Sequence, residues 1–280
     1  MKLKIRFLTS SNIWVSFCAL ALTASSEILF QTTNHSILQF VFFATFFTYN
    51  FQRVVRIKKN KIRPSEIWLK QNRRIIFPLM FLALIVSFYH FINFKLATQI
   101  AIVFSATLSF LYPFGIRNIS FLKIFIISLV WAISTMLLIL LENKLLISQN
   151  IIWHFISRFL FVFAITIPFD IRDLKYDAGE IKTIPILLGF EKAKLIAVFS
   201  LFFCSVIAIF QQFQHQIKLS DFLALMLLYF LASLLIKKSN LNQTEIFFSF
   251  WVESLSVFGY LFLVILLLIF QTRLFTFTAL

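Results

Sequence analysis

Glycine is scarce in this chain, four residues in 280. With so few, helices cannot be brought together on GxxxG contacts and must pack on Ala, Ser and Thr. Cysteine is scarcer still. Cys18 and Cys204 both lie inside apolar runs, which excludes a disulfide framework and a cysteine-based metal site. Charged residues make up only 13% of the chain, and the acids are the rarer sign, 11 against 26 Lys and Arg. No acid lies between Glu27 and Glu66. A phosphate-binding glycine loop, a nucleophile elbow and an H-E-x-x-H helix are all missing, so the chemistries those motifs carry are excluded.

What is abundant is apolar residue, 60% of the total, with 40 phenylalanines. A spanning helix needs about 20 apolar residues. Nine such runs can be read, near 11–30, 37–55, 75–94, 97–113, 121–141, 151–169, 194–211, 220–236 and 246–270. The expectation is an all-α integral membrane protein, a nine-helix bundle forming a single polytopic domain over residues 1–280. The basic N-terminus, with Lys2, Lys4 and Arg6 before an apolar run, has the form of a cleavable signal. A first spanning helix has the same form, and the topology needs that helix, so the uncleaved reading is favoured. The net charge of +15 is then a positive-inside effect rather than a sign of nucleic-acid binding. Counted over alternate loops, 21 of the 26 basic residues fall on the side of the N-terminus, nine of them between Arg53 and Arg74. That side is expected to be the cytoplasmic one. Most of the phenylalanines are ordinary lipid-facing residues. His35, His90, His154 and His215 are scattered near the outer ends and form no ligand cluster.

The run Asp170-Ile171-Arg172-Asp173-Leu174-Lys175-Tyr176-Asp177 closes the sixth apolar segment. Spacings of i, i+3 and i+7 put the three carboxylates on one helical face. Stacked like charges repel, and the C-terminal end of a helix dipole already disfavours anions. The pattern makes sense if a cation sits among them, and Mg²⁺ typically joins one or two carboxylates to a substrate phosphate. Pro168, two residues before Asp170, removes a backbone donor and is expected to kink or break the helix. Arg158 lies within the same segment and is costly in lipid, so it should face the bundle or snorkel. Glu253, in the ninth segment, is a candidate to face a cavity.

The acidic run continues into Gly179-Glu180-Ile181-Lys182-Thr183-Ile184-Pro185-Ile186-Leu187-Leu188-Gly189. The whole stretch, D-x-x-D-x-x-x-D followed by G-x-x-K-T-x-P-x-x-x-G, resembles the second motif of the UbiA superfamily of intramembrane prenyltransferases. The resemblance implies a nine-helix bundle with two aspartate-rich motifs at the cytoplasmic ends of helices two and six. Each motif would help hold Mg²⁺ against a prenyl diphosphate. Tyr112-Pro113 with Arg117 is similar to the family's Tyr and basic residue that contact the diphosphate. The implied reaction is ionisation of a prenyl diphosphate and capture of the allylic cation by a membrane-soluble acceptor. Asp170, Asp173 and Asp177 would then be the Mg²⁺ ligands and catalytic residues. Asn50, Arg53, Arg117 and Lys182 would contact the diphosphate. The protein would sit in the inner or cytoplasmic membrane, with its active face toward the cytoplasm.

The first motif departs from this pattern. N-D-x-x-D-x-x-x-D should fall at the end of the second helix, where the chain reads Asn50-Phe51-Gln52-Arg53-Val54-Val55-Arg56-Ile57-Lys58. Asn50 matches, but the acidic positions hold Phe51, Val54 and Lys58, so one Mg²⁺ site is expected to be missing. Two outcomes stay open. Arg53 and Arg56 could neutralise the diphosphate through bidentate bonds, or simply anchor the chain as positive-inside residues. In the second case the protein could be a non-catalytic isoprenoid- or lipid-binding membrane protein that keeps the fold. A carrier would need paired broken helices in corresponding halves, and only the sixth segment shows a break signal. The topology has a direct check: reporter fusions after residues 60 and 185 should both read cytoplasmic, and opposite answers would rule out a shared site.

Overall fold

The structure, a computed structural model, describes residues 2–58, 64–112, 122–177 and 183–277. Among them only helices are present. In chain order these are α1 Lys2–Ser10, α2 Ile13–Leu29, α3 His35–Lys58, α4 Pro64–Gln71, α5 Arg73–Asn93, α6 Leu96–Leu111 and α7 Leu122–Ala132. They continue with α8 Leu138–Glu142, α9 Gln149–Asp177, α10 Ile184–Leu188, α11 Phe190–Phe213, α12 Leu219–Lys238 and α13 Leu255–Phe277. A π-helical turn, Ile133–Leu137, joins α7 to α8, and a second, Phe247–Val252, precedes α13. Each apolar run read from the sequence holds helix. Six helices are long and apolar enough to cross a membrane, and seven if the bent pair α1–α2 counts as one span. Leu96–Leu111 is apolar but shorter. Nine spans is therefore not a number these helices establish by length and composition.

Small residues draw the helices together. On α11, Ala193, Ala197, Leu201, Cys204 and Ala208 form a buried stripe at helical spacing, and α11 packs closely on α9. On α12, Ala224, Leu228, Ala232 and Ile236 do the same between α11 and α13. α13 returns to α2, α2 to α3, and α7 to α9, which closes the bundle. Large apolar side chains such as Phe81, Phe88, Phe199 and Phe230 are left on the outside, where lipid tails take the place of a protein partner. The one described glycine inside a helix, Gly259, marks a tight approach. A Cβ there would stand 2.9 Å from Leu228 Cδ2.

Two local features shape the interior. α9 runs through Pro168 without a break, which leaves a kink as the remaining form of the expectation from sequence. A lost backbone bond is tolerated in such a helix where neighbours and Ser or Thr side chains re-satisfy the freed groups. Arg158, on the same helix, faces the bundle. Its guanidinium donates to Leu22 O at 2.7 Å, Thr135 Oγ1 at 3.2 Å and Ser26 Oγ at 3.2 Å. Thr135 lies in the first π turn, so the bulge supplies an acceptor to a cation inside the apolar core. Replacing Gly259 with Leu should cost about 1–3 kcal/mol by overpacking the α12–α13 contact. Thermal unfolding in detergent would detect it, with Gly259→Ala milder because Leu228 can rotate. An unchanged midpoint for the Leu variant would mean that the contact is loose.

Candidate functional site

A cavity of about 630 Å³ lies within the bundle. Its wall is polar at one end, where the ends of α3 and α9, the start of α7, and parts of α1 and α4 converge. Arg6, Arg53, Arg56, Lys123 and Arg172 line this mouth, together with Glu66, Asp170, Asp173 and Glu245. Farther in, the wall turns apolar, with Phe40, Ala44, Ile127, Val130, Leu138 and Val162. A chamber of this kind suits a ligand with a charged head and an apolar tail.

Asp170 and Asp173 both line the mouth, one helical turn apart on α9. They do not stand as bare repelling charges. Lys123 Nζ meets Asp170 Oδ1 at 2.5 Å, and Arg172 Nε meets Asp173 Oδ1 at 2.8 Å. Arg172 also reaches Glu245 at 3.5 Å and rests on the ring of Phe169. Among the described residues, no group of three or more acidic, His or Cys side chains gathers as a metal cage. Asp177 closes α9, and Arg117 and Lys182 lie outside the described residues. Lys123 was not among the residues expected at the site. Its signal in the sequence is a lone cation at the start of one apolar run, facing an acid at the end of the adjacent antiparallel one.

α3 presents a different face from the one the motif register suggested. Thr45, Thr48, Tyr49, Gln52, Arg53 and Arg56 line the cavity, at helical spacing. Phe51 instead stacks between Phe47 and Phe110. Asn50 is fully buried behind the cavity wall. Its Oδ1 accepts from Asn12 Nδ2 at 3.0 Å, and its Nδ2 donates to Ser11 O and Phe46 O. Asn12 has φ 63°, a left-handed conformation that Asn tolerates, at the 74° bend between α1 and α2. Asn12 Oδ1 in turn accepts from Arg53 NH2 at 2.8 Å. Asn50 therefore holds the bend and, through Asn12, the guanidinium of Arg53. Arg53 also donates to Ser10 O, while its Nε–H is buried with no partner among the described residues. Arg56 pairs with Glu66 of α4 at 3.1 Å. The face carries no acid in either register, so the shortage of acids noted from sequence holds.

The UbiA prenyltransferase family model matches residues 72–255. The chain belongs to that family. The match takes in Asp170 and Asp173 and begins after α3, the helix on which the motif departs. A UbiA homolog from Archaeoglobus fulgidus bound to GPP and Mg²⁺ superposes with a TM-score of 0.65 at 11% identity, covering 94% of this chain and 99% of that one. The apo structure of a UbiA homolog from Aeropyrum pernix K1 gives 0.65 at 10%, covering 95% and 98%. A digeranylgeranylglyceryl phosphate synthase gives 0.60 at 16%, covering 94% and 98%. At these identities the likeness is one of fold. A comparison with curated proteins finds no match. Membership and the apolar helices together make this UbiA-family chain an integral membrane protein.

The hydrogen bonds of Asn50 carry a prediction. Asn50→Ala strips partners from Asn12 and Ser11 in a buried place, at about 1–3 kcal/mol for each group left unsatisfied. The melting point should fall in detergent with no ligand present. A variant as stable as the parent would mean that Asn50 is not a clamp.

Proposed function

We propose that this chain transfers a prenyl group from a prenyl diphosphate to a lipophilic acceptor, within one membrane domain whose charged mouth faces the cytoplasm. The observation that carries the reading is a single cavity with cations and paired carboxylates at one end and an apolar wall beyond. Family membership and relatives bound to GPP or DMAPP with Mg²⁺ support the donor class. The tail would lie along the apolar wall. The diphosphate would lie at the mouth, where Lys123, Arg172 and Arg53 can trade a protein partner for a phosphate oxygen. Arg53 offers the clearest opening, since its buried Nε–H is unsatisfied.

The donor set fits one Mg²⁺. Two carboxylates a turn apart are hard oxygen ligands of the kind Mg²⁺ would take together with a substrate phosphate. Asp170 and Asp173 would hold it, with Asp177 at the helix end as a third contributor. When bound, the metal neutralises charge that develops on the departing diphosphate. α3 provides no second carboxylate pair, and there Arg53 and Arg56 supply positive charge through guanidinium groups suited to phosphate. Arg117 and Lys182, carried over from the family motif, would add to this shell.

A second reading rests on one observation: Asp170 and Asp173, the two described carboxylates offered as metal ligands, each already have a protein cation. A relic that binds an isoprenoid or lipid without reacting would show the same pairing. The assay is pyrophosphate release from dimethylallyl and geranyl diphosphate, with Mg²⁺ and a lipid extract as acceptor source. Release should occur with the parent protein and fall about 10²–10³-fold in Asp173→Asn, the typical loss when one preorganised electrostatic contact to the transition state is removed. Binding of geranyl diphosphate with no release from any donor would favour the relic.

A further inference from the structure

Below the charged mouth, beside scattered Ser and Thr hydroxyls, three larger polar side chains line the cavity wall. Tyr49 lies seven residues before Arg56 on α3, and Trp131 eight residues after Lys123 on α7. Glu253 lies eight residues after Glu245, just past the second π turn. Each is set roughly 10–12 Å inward from the mouth residue on its own segment, at 1.5 Å per residue. All three line the cavity. Trp131 Nε1 donates to the Tyr49 hydroxyl at 3.0 Å, and the hydroxyl hydrogen has no acceptor among the described residues. The Glu253 carboxylate makes no hydrogen bond or ion pair among them either. An ionisable side chain inside a membrane bundle is expensive and is normally paired. Here a carboxylate with unused acceptors faces the chamber near a hydroxyl with an unused donor, and neither is spent on the fold.

We propose that Glu253 is the proton acceptor of the reaction, on the acceptor side of the cavity, and that Tyr49 orients the same group by donating to it. This assignment rests on the transferase reading given above. The bond between the allylic C1 and the diphosphate oxygen breaks, and its electron pair leaves with the diphosphate. The acceptor, a molecule with a hydroxyl or phenol group, forms the new bond to C1 with an electron pair from its oxygen or an activated ring carbon. The proton it loses passes to Glu253, and no oxidant or reductant is needed. A general base must lie within hydrogen-bond reach of the proton it takes, and Glu253 is a carboxylate on the described inner wall of the cavity that Tyr49 also lines. The π turn has a purpose in this account. It changes the register between Glu245 and Glu253, so that one carboxylate serves the mouth and the other the inner wall.

The test uses the full-length protein in detergent micelles and two probes of similar size, 1-naphthol and naphthalene. Binding is read by tryptophan fluorescence. The parent protein should prefer naphthol at least tenfold. Glu253→Gln and Tyr49→Phe should each lose most of that preference while binding geranyl diphosphate as the parent does, which also shows that they fold. With geranyl diphosphate and naphthol together, Glu253→Gln should keep pyrophosphate release within a few-fold. Geranylated naphthol should fall about 10²–10⁴-fold, the usual contribution of a general base. No naphthol preference in the parent, or a preference intact in both variants, overturns the assignment. So does a loss of product that only tracks a loss of pyrophosphate release. If the parent releases no pyrophosphate, the transferase reading fails, and the naphthol preference still decides whether Glu253 contacts a hydroxyl.

Discussion

Charge taken into an apolar bundle is costly unless it is neutralised where it sits, and this constraint organises the mouth of the cavity. A carboxylate or guanidinium withdrawn from water costs several kcal/mol even after the protein relaxes. Asp170 is therefore met by Lys123, Asp173 by Arg172, and Arg56 by Glu66. These pairs tie α7 to α9 and α3 to α4 at one end of the bundle, and so they fix the mouth of the cavity. Arg158, with no carboxylate on it, takes three oxygens from α2 and the π turn at Ile133–Leu137 instead. Under the proposed function, the same physics would make the mouth a binding device. Ion pairs inside a bundle contribute little net stability but break at high cost unless a new partner arrives. A diphosphate with a divalent cation brings both signs at once and can exchange with both members of a pair.

The backbone irregularities sit where this device needs them. The left-handed Asn12 bends α1 over the mouth, and its side chain passes the position of Asn50 on to Arg53. The two π turns lie on the cavity wall, each exposing side chains that a regular helix would direct elsewhere. Such turns occur often at functional sites. They carry Thr135 toward Arg158 and place Glu253 past the rim.

Much of the bundle was legible because lipid imposes one simple rule, long apolar helix with satisfied backbone. The apolar runs predict the positions of the helices closely; the scarcity of glycine predicts packing on Ala, Ser and Thr, and buried Ala does line the α11 and α12 contacts, joined by Cys204, which that expectation did not include. The α9 carboxylates were legible from their i, i+3 spacing. What stayed hidden were the partners. Lys123 reads as a loop cation of a positive-inside pattern until α7 is laid against α9. Asn50 reads as a motif residue because spacing alone gives no rotation about the helix axis. On α3 a shift of one residue separates Tyr49, which faces the cavity, from Asn50, which does not. Pro168 left both a kink and a break open, and only the break is excluded, because the penalty for a missing donor depends on neighbours that a one-dimensional reading cannot see.

The central claim is that the site takes a single metal, and only with a diphosphate. Mn²⁺ can stand in for Mg²⁺ and be counted by electron paramagnetic resonance, as free ion disappears on titration into the protein with a non-hydrolysable geranyl thiodiphosphate. The account predicts one tightly bound Mn²⁺ per chain in the presence of the analogue, and none at comparable affinity without it, because Lys123 and Arg172 then hold the carboxylates. Two bound ions per chain, or one that binds equally well without the analogue, would contradict it.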